Sequence, residues 1–331
     1  MTTTVTATPT RSGREEAAIA VFGTWMICGL FLDGWAHETD RPETFFSPWH
    51  GILYSGFVAA LVWFSWDGWR QKRAGQVTSG PTDRAVTVGL IVFIIGAVGD
   101  GIWHEVFGIE VDLEALVSPS HLALFIGGFL MVSSPVRAAA NDPAFDPSPG
   151  WRAWCPQAVT LTLSAALVLF FAQYLSVFED VASASHGGSD REFREVVDLA
   201  SILATNLILV VPMLFVLWRW RAPFWTFTLL FTGTAVFVSG LEGFDLVELV
   251  IAFAVGGFVA DATAARGVKP IVAASASALG TWTAFFLIAD FSYGVAWSPE
   301  LWAGAIVLAT ASSALLASLM RPAVVQPPTS L

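Results

Sequence analysis

Ten stretches of roughly twenty mostly apolar residues run through this chain, at 17–37, 48–67, 85–106, 117–135, 156–178, 197–217, 224–241, 245–263, 270–292 and 299–319. A helix of about 20 residues crosses the roughly 30 Å hydrocarbon core of a bilayer. Inside that core every backbone N–H and C=O needs a partner within the chain, so such stretches must be helices. With 55% hydrophobic and 13% charged residues in 331 and a mean hydropathy of +0.66, the chain lies outside the range of soluble domains. The expected fold is all-α: a polytopic integral membrane helical bundle of about ten transmembrane helices. Fifteen Trp and twenty-six Phe against three Tyr suit lipid-facing rings, helix interfaces and headgroup belts.

The basic residues set the expected topology. Arg14, then Arg70, Lys72, Arg73 and Arg84, then Arg137 and Arg152, then Arg219 and Arg221, then Arg266 and Lys269, and finally Arg321 all fall on one side of a ten-span chain. The positive-inside rule makes that side the cytoplasm and places both termini there. Residues 1–16 read as a disordered cytoplasmic tail without the apolar core of a signal peptide, and 320–331 as a second tail. The net charge of −11 is concentrated on the opposite side, around Glu38, Asp40 and Glu43, Glu105 to Glu114, Glu179 to Glu192, and Glu242 to Glu248. Cys28 and Cys155 are the only cysteines, in no Cys-x-x-Cys or thiolate-rich arrangement, so no structural disulfide is expected.

One pattern occurs twice. Asp33-Gly-Trp-Ala-His37-Glu38 followed by Ser47-Pro48-Trp49-His50 is repeated as Asp100-Gly-Ile-Trp-His104-Glu105 followed by Ser118-Pro119-Ser120-His121. The offset is 67 residues at Asp and His and 71 at Ser-Pro-x-His, and Gly56-Phe57 pairs with Gly128-Phe129 in the helices that follow. This defines a duplicated helical-hairpin unit over 17–135, with copies at 17–67 and 85–135, ahead of a six-helix region over 156–319. An even number of spans per copy makes the repeats parallel. All four histidines then lie at the extracytoplasmic face.

On a helix, Asp33 with His37 and Asp100 with His104 share one face at i and i+4. Ser-Pro suits a helix entry, with Ser as N-cap and Pro at the first helical position, so His50 and His121 project from the first turn of the returning helix. Each copy offers one carboxylate and two imidazoles, a donor set for Cu(II), Zn(II), Fe(II) or Mn(II). An isolated Asp or His at a membrane interface is more often a hydrated or capping group. Recurrence of the whole set, in a medium where ionisable side chains are costly, favours metal binding over hydrogen bonding between hairpins or an ion pathway.

The order Asp33-x3-His37-x12-His50 across a helix end, an outer loop and a helix start resembles the metal-binding motif in the C subunit of the copper membrane monooxygenases, the particulate methane and ammonia monooxygenase family. That family carries a second set with Asn-x3-His and a later His, to which residues 95–121 are similar in order. The resemblance implies Asp33, His37 and His50 as ligands of one copper and Asp100, His104 and His121 as ligands of a second. The second set departs from the family in its Asp and its 16-residue spacing between histidines, and ten spans exceed the family's number. About 100 residues are covered.

The functions that follow are a copper-dependent oxidase or monooxygenase relative acting on a small apolar substrate, a copper- or zinc-binding or transport protein, and a zinc-dependent membrane hydrolase. Zinc and iron are the alternatives to copper; haem ranks lowest because it leaves the aspartates unexplained. The first function needs an electron donor, either a partner subunit or a quinol. Spans five to ten carry no motif and serve as a wall around the site or as the interface of a homo-oligomer. No nucleic-acid module occurs. His186 reads as a surface residue or a labile metal-capture residue, Glu38 and Glu105 as loop partners of the site, and Gln173, Asn206 and Asp290 as cavity-lining residues or interhelical hydrogen-bonding groups. Trp35, Trp103, Phe45, Phe46 and Trp49 read as interfacial anchors or an aromatic lid.

Overall fold

Helix is the structural answer throughout, as apolar segments without water to bond their backbone require. The computed structural model describes residues 13–39, 47–75, 81–108, 112–148, 150–178 and 191–321. Both predicted tails beyond these limits, Asp40 to Phe46 and His186 lie outside the described residues. Among those described there are twelve α-helices, two short 3₁₀ turns and no strand. The helices are α1 (Gly13–Glu38), α2 (Pro48–Arg73), α3 (Pro81–Phe107), α4 (Asp112–Val117), α5 (Pro119–Val132), α6 (Ser134–Asn141), α7 (Trp151–Phe171), α8 (Arg191–Arg219), α9 (Thr226–Leu241), α10 (Val250–Ala265), α11 (Pro270–Ser292) and α12 (Pro299–Leu319).

Seven segments are long and apolar enough to cross a membrane: α1, most of α3, α7, α8, α10 with the turn before it, α11 and α12. The stretch expected at 117–135 is a bent pair instead, α5 and α6 meeting at 46°. Counted as one, this pair makes an eighth span. Pro135 explains the bend, because it lacks an N–H and its ring clashes with the preceding turn. Arg137 bridges the break, donating to the Leu130 carbonyl and to Ser133 Oγ. The stretch at 224–241 becomes the 16-residue α9. The stretch at 48–67 becomes the 26-residue α2, which carries His50, Asp67 and four further polar or basic side chains toward its end. The Leu241–Asp245 segment is a tight turn, with Gly243 at φ 63° and Phe244 at φ 66°.

The chain divides into two compact units, Met1–Glu179 with Gly233–Val247, and Asp180–Thr232 with Glu248–Leu331. Helix α7 and the end of α9 fall in the first unit with the duplicated hairpins. In the first unit α1 lies against α2 and α3 against α5, each pair brought close by glycine. A Cβ on Gly29 would come within 2.6 Å of Leu53 Cα, and one on Gly56 within 2.8 Å of Met26 N. In the other hairpin, Gly96 meets Leu124 N at 2.9 Å and Gly127 meets Phe93 N at 2.7 Å. These contacts fix the register of the duplication. Gly29 and Met26 map onto Gly96 and Phe93 at an offset of 67, and Leu53 and Gly56 onto Leu124 and Gly127 at 71. The pairing of Gly56-Phe57 with Gly128-Phe129 is therefore off by one residue.

Helix α3 shows how a membrane inverts the usual arrangement. Val86, Gly89, Phe93, Gly96 and Asp100 form its buried stripe, while Ile91, Ile95, Val98 and Ile102 stand exposed on the other side. So continuous an apolar exposed face belongs against lipid. Helix α7 closes the first unit by packing on α1, with Phe170 edge-on to Phe31 and against Gly34.

In the second unit, α8, α10, α11 and α12 pack around Phe253, Trp282, Phe285 and Phe286. Asn206 on α8 accepts from Trp282 Nε1 at 3.1 Å and donates toward the Ala309 carbonyl and Ser313 Oγ. The interhelical role expected for Asn206 is thus met. Buried Asp261 accepts from the Phe227 and Thr228 amides at 3.1 and 2.8 Å and so caps the start of α9.

Candidate metal centre

The site grows from two helix starts. Ser47 has extended backbone, φ −63° and ψ 155°, its hydroxyl accepts from His50 N, and Pro48 opens α2. Ser118 does the same for α5, with its hydroxyl bonded to His121 N. Both are the helix entries expected from the Ser-Pro dipeptides. Each serine also lies 3.0 Å from Nδ1 of the histidine it caps. A hydroxyl bonded both to the backbone and to the ring holds the imidazole in one rotation.

The preceding helices supply the carboxylates. Asp33 Oδ1 is 3.3 Å from His50 Nδ1, and its Oδ2 is 3.8 Å from His37 Nε2. In the second hairpin, Asp100 Oδ1 is 3.0 Å from His121 Nε2 and 3.5 Å from His104 Nε2. The His104 ring is oriented by an Nδ1 contact of 3.2 Å to the Gly108 carbonyl. Asp33, His50 and Asp100 are all buried, Asp100 to 1% exposure, where an ionisable group is costly without partners.

The ligand groups of the two hairpins lie close together. Successive imidazoles stand 6.1 Å (His37 to His50), 6.4 Å (His50 to His104) and 5.9 Å (His104 to His121) apart between ring centroids. Ligand atoms lie within 4.8 Å of one another in two groups, Asp33 with His37 and His50, and His50 with Asp100 and His104. His50 is in both. His121 lies beside the second group, its Nε2 3.0 Å from Asp100 Oδ1.

Sequence reasoning missed Tyr54. Its hydroxyl donates to Asp100 Oδ2 at 3.0 Å, and its ring stacks on His50 at 6.1 Å and 14°. At the 71-residue offset its counterpart is Phe125, so the second copy has no such hydroxyl. The available signal was its position four residues after His50, on the same face of α2. Trp35 and Trp49 meet edge-on at 6.2 Å beside the first copy. Glu38 and Glu105 are exposed.

A cavity of about 450 Å³ lies along α1, lined by Cys28, Phe31, Leu32, Trp35, Phe237 and Phe244 among others. At 100° per residue these α1 positions occupy the side of the helix opposite Asp33 and His37, so this cavity is not an antechamber to the cluster. Cys28 and Cys155 are free thiols.

Against known protein families, curated proteins and solved structures, the chain has no match.

Proposed function

We propose that this is a multi-pass membrane protein built around a transition-metal centre, that the metal is copper, and that the centre serves oxidation of a small apolar substrate in the manner of a membrane oxidase or monooxygenase. The observation that carries the reading is the pair of ligand groups sharing His50, with Asp and His atoms within 4.8 Å. The fit rests on donor chemistry. Imidazole and carboxylate together suit Cu(II), and neither group contains a thiolate. Atoms of two ligands on one ion, each about 2.0–2.1 Å from it, lie about 3.3 Å apart in a tetrahedral arrangement; the separations of 3.3 and 3.8 Å around Asp33 are of that size.

Bound there, copper would supply dioxygen activation; the chain would supply the ligands Asp33, His37 and His50 and the Ser47 hydroxyl that aims the His50 ring. Electrons come from a partner subunit or a quinol. The basic residues support ten crossings with both termini in the cytoplasm and the cluster on the extracytoplasmic side, α2, α9 and the bent pair counting as crossings. Oxygen consumption by copper-loaded protein with a quinol reductant tests the oxidative part. Loss of that consumption in Asp33→Asn is expected; equal consumption in Asp33→Asn and the wild type would reject it.

A further inference from the structure

We infer that the C-terminal end of α2 is a binding site for an anionic phospholipid, with the headgroup phosphate held by Lys72 and Arg73. The inference goes beyond the metal-centre reading and does not depend on it.

Three observations carry it. Val58, Val62, Trp66, Trp69, Lys72 and Arg73 are all exposed, and at 100° per residue they form one stripe covering about a third of the circumference of α2. The other side, with Leu53, Gly56, Phe57, Ala60 and Asp67, is buried. Along the stripe the chemistry changes in order, from aliphatic through indole to cationic, over the roughly 22 Å of helix between Val58 and Arg73. One bilayer leaflet, half of about 40–45 Å with the headgroups included, presents acyl chain, glycerol and phosphate over the same length. Secondly, two arginines reach back one turn to a ring. The Arg73 guanidinium lies 4.0 Å from the centroid of Trp69, and that of Arg70 lies 5.6 Å from Trp66. A guanidinium laid over a ring keeps its N–H edge for an acceptor, and that fork matches phosphate. The two rings remain half exposed, at 51% and 50%, as flanks for the glycerol end of a lipid. Thirdly, the charge is uncompensated. Arg70 is paired with Asp67 Oδ1 at 3.0 Å, and the same carboxylate accepts from Gln71. Lys72 and Arg73 have no acidic partner among the described residues. A Cβ on Gly68 would meet nothing within 4 Å, so there is room for a headgroup one turn before Lys72. Cations in a last turn also answer the helix dipole, but that role needs neither a stacked ring nor an exposed one.

The test uses the full chain purified in detergent and titrated with phosphatidylglycerol or with phosphatidylcholine of the same acyl chains, with bound lipid counted by native mass spectrometry. The wild type is expected to bind phosphatidylglycerol more tightly. Each cation near an anionic surface accounts for about fivefold, so Lys72→Gln combined with Arg73→Gln lowers that affinity about thirtyfold. Arg73→Lys keeps the charge and loses affinity with the fork, and Trp69→Leu keeps the charge and loses about twofold to fivefold with the ring. Arg152→Gln, which removes an exposed cation at the start of α7, leaves the affinity unchanged. Circular dichroism and gel filtration verify the fold of each variant. Equal wild-type affinity for the two lipids, an affinity unchanged in the double variant, or an equal loss in Arg152→Gln would overturn the inference. Displacement of phosphatidylglycerol by an equal concentration of inorganic phosphate would assign the site to free phosphate and overturn it as well.

Discussion

At the residue scale, the cluster depends on small groups that aim larger ones. Ser47 caps α2 and engages the His50 ring with one hydroxyl. Groups that orient a ligand from behind typically account for about 10–100-fold in metal affinity. Ser47→Ala is accordingly expected to weaken copper binding by a factor of that order while leaving the helix content unchanged, as competition with a calibrated chelator would measure. Unchanged affinity would mean that the ring needs no such support. Tyr54→Phe removes a donor from a buried carboxylate, at a cost of about 1–3 kcal/mol; the expected readout is a lower midpoint in thermal unfolding in detergent. Asp33, His37 and His50 were legible in the sequence because their spacing is local: i and i+4 on one helix, then a serine three residues before the histidine. Tyr54 was not. Its partner Asp100 is 46 residues away, and no periodicity along the chain reports which side of α2 faces α3.

At the scale of elements, the hairpins are set by glycines that let backbones touch. A methyl group on Gly29 would collide with the Leu53 backbone, which has no rotamer by which to yield. Gly29→Ala and its counterpart Gly96→Ala are each expected to destabilise the protein by about 1–3 kcal/mol through overpacking. Gly51→Ala, with nothing within 4 Å, is expected to be close to neutral, as thermal unfolding of the three variants would show. Because α2 carries His50 and α1 carries Asp33, Gly29→Ala also moves ligand from ligand, so its copper affinity falls with its stability. The apolar helices were legible because lipid leaves the backbone no alternative to helix. The break at Ser133 and the short α9 were not. Hydropathy counts apolar residues and is blind to the missing N–H of Pro135 and to the cap that Asp261 builds from 33 and 34 residues away.

At the scale of the molecule, the account assigns a direction in the membrane. Glu38 is exposed at the cluster end of α1 and Lys72 at the opposite end of α2. In a background lacking Cys28 and Cys155, a membrane-impermeant maleimide applied to intact cells is expected to label Glu38→Cys and to spare Lys72→Cys until the cells are opened. The reverse pattern would put the cluster in the cytoplasm. The expected sides rest on charge that is unevenly distributed between alternate loops. The repeat alone left open two equal sites, one shared site or one site with a degenerate twin, and the sharing of His50 between the two ligand groups was not legible in it. Only the packing of α2 and α3 brings His50 within reach of Asp100 and His104.

The central claim is that Asp33, His37 and His50 hold a copper ion. Protein purified from copper-supplied cells, without added metal, tests it most directly through its metal content and its Cu(II) paramagnetic resonance spectrum. The account predicts one copper per chain with hyperfine structure from imidazole nitrogen, absent in His50→Ala. Zinc in place of copper, no bound metal, or a copper signal unchanged in His50→Ala would contradict it.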